Sequence, residues 1–222
     1  MAKSFIVFGI GRLGSTVAKR LYAMHNDVLA VDVNIEKIKS ISEDVTTAIQ
    51  ADIMDGDVLE DLGLSNFDCA VIAIGSSLES AIMATIACVE AGVPTIIAKA
   101  PTRRYGSILK RLGAHKIIYP EVDMGVRLAK SLSDNGISDY FEISENYGVI
   151  EYEVFDDWAG KTVRLLDFRE HFHVNVIAIR RNENLIVHNI ADEILREGDA
   201  IIFFGSDEDL REIQKEHKLE KN

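Results

Sequence analysis

Positive charge is scarce in this chain. It carries 24 lysines and arginines against 36 aspartates and glutamates, a formal net charge of −12. General nucleic-acid binding needs a basic surface, so that class is disfavoured from the start. The deficit is uneven, because residues 141–222 hold 10 basic and 19 acidic groups. Cysteine is equally rare. Cys69 and Cys88 lie inside apolar segments and form neither a CxxC pair nor a disulfide framework, which fits a reducing cytosol. The charge-free runs 69–78 and 80–89 stop at ten residues, short of the roughly 18 to 20 that a bilayer span requires. No secretory signal is legible, so a cytoplasmic protein is expected and any membrane role falls to a partner. P-loop, GxSxG and Tyr-x-x-x-Lys patterns are all missing. His171 and His173 stand two apart without a third ligand, and the other histidines are scattered, which leaves no zinc site. No obvious catalytic acid, base or nucleophile stands out.

What is present is a regular alternation over 222 residues, a length that suits one large domain or two small ones. Ser4 to Phe8 is a short apolar run, followed by Leu13, Val17 and Leu21 at helical spacing. Strands are then expected over 28–31, 45–50, 69–74, 95–99 and 115–118. Helices are expected over 34–42, 56–62, 77–91, 103–112 and 121–134. Continuous rather than alternating apolar strands, each followed by a helix, mean a parallel sheet covered on both faces. After about Asn135 the texture changes. Residues 148–155 alternate, 174–180 and 184–189 read as a hairpin around Asn182 and Glu183, and 199–205 precede a charged helix. The expected fold class is therefore α/β: a Rossmann-like doubly wound parallel sheet over 1–136, ending in a bridging helix, and a small α+β domain over 137–222.

The first strand-to-helix turn carries Gly9-Ile10-Gly11-Arg12-Leu13-Gly14, a GxGxxG in the position where it binds phosphate. Its spacing allows a tight turn at Gly9, close approach of a phosphate at Gly11, and close packing of the helix at Gly14. Free N–H groups and the positive helix end then meet the anion. Asp32 ends the second strand eighteen residues after Gly14, where a ribose acceptor belongs. An acid there disfavours a 2′-phosphate and argues against NADP. The competing structural reading is a plain tight turn with Asp32 as a helix cap. Arg12 adds a full charge to the phosphate loop, which tilts the reading toward ATP or ADP over NAD, unless it is a solvated first-turn side chain. Ser76 to Glu79 reads as a capping box, and Ile74-Gly75 lies at the strand edge where adenine or ribose could rest. Eight basic residues fall between 99 and 130. Most suit a solvated face, but Lys99 ends a buried strand at the edge where ligands sit.

Together Phe5 to Gly14, Val31-Asp-Val-Asn34, Val71 to Gly75, Lys99-Ala100 and Gly113 to Gly125 resemble the cytosolic regulatory subunits of Trk/Ktr potassium uptake systems. These pair an N-terminal RCK (regulator of potassium conductance) domain with a small C-terminal one. The resemblance implies a gate: homo-oligomeric rings of dimers beneath a separate membrane potassium-translocating subunit, held in different shapes by ATP and ADP. It places Arg12 at the phosphates, Asp32 and Asn34 at the ribose, and Asp52, Ile53, Ile74, Gly75, Ser76 and Lys99 around the nucleotide. It also gives Glu121 a divalent cation such as Mg at the ATP phosphates. Leu165 to Arg169 with Asn175 resembles a cyclic di-AMP segment, with His173 in place of a usual glycine and Asn189 in place of a Ser-Pro turn. Tyr105 and Pro101 also depart from the family pattern. The readings in competition with a gating subunit are an NAD-dependent oxidoreductase, which would consume NADH, and a nucleotide-binding repressor.

Overall fold

A computed structural model describes residues 2–133, 137–144 and 146–219. The contacts divide the chain into Met1–Val122 and Asp123–Asn222. The expected boundary near 136 touches residues 134–136, which lie outside the described residues.

The first unit runs β1 (Ser4–Phe8), α1 (Arg12–Ala23), β2 (Asp27–Asp32), α2 (Ile35–Ile41), β3 (Thr47–Gln50), α3 (Gly56–Asp61), β4 (Cys69–Ile72), α4 (Leu78–Glu90), β5 (Thr95–Lys99), α5 (Arg103–Arg111) and β6 (Lys116–Ile118). All six strands pair parallel in the order β3-β2-β1-β4-β5-β6. The continuous apolar strands follow from burial on both faces. In β1, Ile6 and Phe8 pack with Ala81 and Ala84 of α4, while Val7 packs with Ala18 of α1 and Ile38 of α2. The order reverses between β1 and β4, and such a switch point opens a crevice at the carboxyl ends of the strands. β4 stops at Ile72, two residues earlier than expected, which leaves 73–77 as a loop beside that crevice.

Helix α6 (Pro120–Ser133) begins in the first unit and continues into the second. The second unit then adds β7 (Ile137–Ser144), β8 (Tyr147–Glu153), the short helices α7 (Val163–Leu166) and α8 (Phe168–Phe172), β9 (Asn175–Arg181), β10 (Asn184–Ile186), β11 (Ala200–Ser206) and α9 (Asp207–Leu219). Its sheet is antiparallel in the order β10-β9-β11-β8-β7. The hairpin turns on Asn182 at φ +56°, a left-handed position that asparagine tolerates. Trp158 centres an aromatic core, 4.5 Å from the Phe155 ring and 4.8 Å from Phe168. Two of the positions that depart from the family pattern, His173 and Asn189, also hold left-handed backbone, at φ +56° and +52°. Among the described residues no helix is long and apolar enough to cross a membrane.

Candidate functional site

The crevice at the β1/β4 switch point is built by glycines with distinct tasks. Gly9 sits at φ +88°, and a Cβ there would lie 3.0 Å from the Ile74 backbone nitrogen. The first loop therefore touches the 73–75 loop, and only a glycine permits both the conformation and the approach. A Cβ on Gly14 would overlap the Gly9 carbonyl oxygen, which fixes how closely α1 packs on its own turn. Gly11 differs. It has φ −83° and ψ −166°, ordinary extended backbone, and a Cβ there would meet nothing within 4 Å. The space beside its Cα is therefore open.

Gly11 is the N-cap of α1, makes no side-chain cap bond, and is followed by no acid in the first turn. The helix start thus keeps its N–H groups and its positive end for an anion. Arg12 is exposed and its guanidinium makes no ion pair among the described residues. Leu13 is half-buried.

At the ribose side, Asp32 is buried and its carboxylate is fully engaged. Oδ2 accepts the Ile10 N–H at 2.7 Å and Oδ1 the Asn34 N–H at 2.9 Å. Lys37 Nζ reaches Oδ2 at 2.9 Å and Oδ1 at 3.3 Å. Burial pushes the Asp32 pKa up, but the Asn34, Lys37 and Ile10 donors together hold it below the ordinary carboxylate value. Asp32 thus staples the glycine loop to β2 and carries a lysine. The Asn34 side chain caps α2 by accepting the Glu36 N–H at 2.8 Å. Asp52 is exposed and ties its own turn by accepting the Met54 N–H at 2.9 Å, while Ile53 is buried in the core.

On the far side, Ile74 is half-buried and Gly75 and Ser76 are exposed. The helix cap is Ser77, which accepts the Ser80 N–H at 3.1 Å, so the expected capping box slides by one residue and Ser76 is left to the crevice. Lys99 extends from the end of β5 over Gly75, its Nζ 3.4 Å from where a Cβ on that glycine would stand. The same amine binds Glu121 Oε1 at 2.6 Å. Donation from Lys99 lowers the Glu121 pKa. Glu121 was expected at a divalent cation, yet it faces a lysine instead of further acids. Among the described residues no group of three His, Cys, Asp or Glu gathers to hold a metal. The other basic residues of this region, Arg103, Arg104, Lys110, Arg111 and Lys116, are exposed.

A family model of the TrkA-N domain matches residues 5–120, and one of the TrkA-C domain matches residues 149–218. The chain is 34% identical over 215 residues, covering 97% of each chain, to the Ktr system potassium uptake protein C of Bacillus subtilis (strain 168). Its fold resembles the GsuK channel bound to NAD, at a TM-score of 0.66 and 16% identity, over 95% of this chain and 38% of that one. It therefore spans well under half the length of that channel chain. A second solved structure, the Shewanella denitrificans Kef CTD in AMP-bound form, matches at a TM-score of 0.51 and 26% identity, over 60% of this chain and 82% of that one.

Proposed function

As this chain belongs to the TrkA-N/TrkA-C (RCK) family that includes the Ktr potassium uptake proteins, we propose that it is a nucleotide-sensing regulatory subunit controlling a separate membrane potassium-translocating subunit. One observation carries the reading: α1 opens on an uncapped, acid-free turn with a bare Gly11 and an exposed Arg12 that has no ion pair among the described residues. That turn has the features of an anion receptor. The AMP in the Kef structure supports an adenine nucleotide as occupant.

ATP and ADP differ at this turn by one phosphoryl group, about one to two negative charges. Arg12 and Lys99, on the phosphate side of the crevice, respond to the difference. A tenfold preference of one conformation for ATP is worth about 1.4 kcal/mol per site, and coupled copies multiply it. Met124, Val126, Leu128 and Leu132 of α6 are exposed apolar residues, which supports assembly of copies into the ring of dimers. Where a divalent cation accompanies the phosphates, Glu121 supplies one carboxylate and the phosphates the remaining oxygens. In the second unit, Leu165, Asp167, Arg169 and Asn175 are all exposed, which supports a cyclic di-AMP surface there.

The test is calorimetry and small-angle scattering on protein saturated with ATP or with ADP. Affinities that differ by about threefold or more, with distinct scattering profiles, are expected. Equal affinities with superimposable profiles would contradict the reading.

A further inference from the structure

Lys37 was not singled out by its position in the sequence, and it occupies the ribose end of the crevice. We propose that Lys37 sets specificity there, lowering affinity for a ribose with a free 2′,3′-diol and admitting one that carries a 2′-phosphate. The inference rests on the nucleotide reading above.

A carboxylate offers about four lone-pair sites, and the Asp32 carboxylate already accepts four contacts, two from backbone N–H groups and two from Lys37. The backbone donors are fixed by the glycine loop and the start of α2. The Lys37 side chain is 45% exposed, on a flexible four-carbon stem, while that of Asp32 is 5% exposed. A ribose hydroxyl that donates to Asp32 must therefore displace the ammonium. Neighbouring Glu36 is paired with Lys39 at 3.1 Å, so it does not draw Lys37 away from Asp32. A bare acid at this position repels a 2′-phosphate. An acid that carries an ammonium on both oxygens is close to neutral, and the ammonium can turn outward to meet the added phosphate. With Lys37 in place, Asp32 does not present a bare negative charge to a 2′-phosphate.

Adenosine 5′-monophosphate and adenosine 2′,5′-bisphosphate differ only in the 2′-phosphate. Their dissociation constants would be measured for the full chain, Lys37→Met and Lys37→Arg, with melting curves to show that each variant folds. For Lys37→Met, the expected result is monophosphate binding about three- to tenfold tighter and bisphosphate binding about tenfold weaker, with Lys37→Arg close to the parent. A parent that binds the monophosphate but rejects the bisphosphate would overturn the proposal. So would a Lys37→Met variant that moves both ligands in one direction or neither. Binding of no adenine nucleotide at all would sink the nucleotide reading together with this one, a pattern unlike either of those.

Discussion

Gly11→Ala is expected to leave the chain folded and to weaken nucleotide binding by at least about tenfold. The backbone at Gly11 is extended, at φ −83° and ψ −166°, and the added methyl meets no protein atom within 4 Å. The stability cost is the difference between glycine and alanine at an N-cap, no more than about 1 kcal/mol. The methyl does, however, stand where a phosphate approaches the helix start. Charge-assisted hydrogen bonds to those N–H groups are worth about 1.5–3 kcal/mol, so pushing the phosphate away costs tenfold or more. Gly14→Ala provides the contrast, because its methyl collides with the Gly9 carbonyl oxygen. Overpacking of that kind costs about 1–3 kcal/mol and lowers the melting temperature whether or not ligand is present. Melting curves and calorimetric titrations of the two variants separate a turn built for a ligand from a turn that is only tight. Unchanged binding in Gly11→Ala would place the ligand elsewhere.

Arg181→Leu is expected to destabilise the second unit by about 3 to 5 kcal/mol, because it strands a buried carboxylate. Arg181 binds Asp199 through Nε at 3.0 Å and through the terminal amine at 2.8 Å, and it also reaches Glu193 Oε1 at 2.7 Å and the Ile194 carbonyl at 2.9 Å. The Asp199 side chain is 3% exposed. Burial pushes its pKa up, but Arg181 and the Arg196 N–H hold it below the ordinary 3.8. Because the folded value is the lower one, this stabilisation is fully present above pH 3.8 and is lost as pH falls through the folded value. Thermal melts should show the melting temperature of the second unit falling by more than about 10 °C in Arg181→Leu. Adding Asp199→Asn should recover part of the loss, since the stranded charge is then gone. A drop of under about 2 °C would mean that the cluster is relaxed by solvent.

The two units differ in how plainly their sequence speaks. In the first, local rules and tertiary structure agree: Ile6, Val7 and Phe8 are apolar in succession because both sheet faces are covered, and the GxGxxG spacing fixes the turn before any packing is known. Recognition by family resemblance, the Rossmann-like sheet and the α+β second unit all hold. Side-chain engagement was hidden. Nothing in the spacing indicates that Lys37 lies on Asp32 or that Lys99 lies on Glu121, because both pairs depend on where flexible stems settle across a sheet edge. The capping serine is not legible to the residue, because Ser76 and Ser77 are chemically alike and only the backbone chooses Ser77. In the second unit β7 escaped notice, since Ile137 to Ser144 interleaves acids and serines with its apolar residues. The short helices α7 and α8 were missed because a left-handed Asp167 breaks the periodicity between them. Arg181 and Asp199 are eighteen residues apart, and only the antiparallel pairing of β9 with β11 brings them together.

The most direct measurement is one calorimetric series in which adenosine, AMP, ADP and ATP are each titrated into the intact protein under the same buffer and salt. Affinity should climb with phosphate number, by about tenfold or more between adenosine and ADP, because the anion meets the open start of α1 and Arg12. A series that is flat from adenosine to ATP would contradict the claim that this turn reads phosphate.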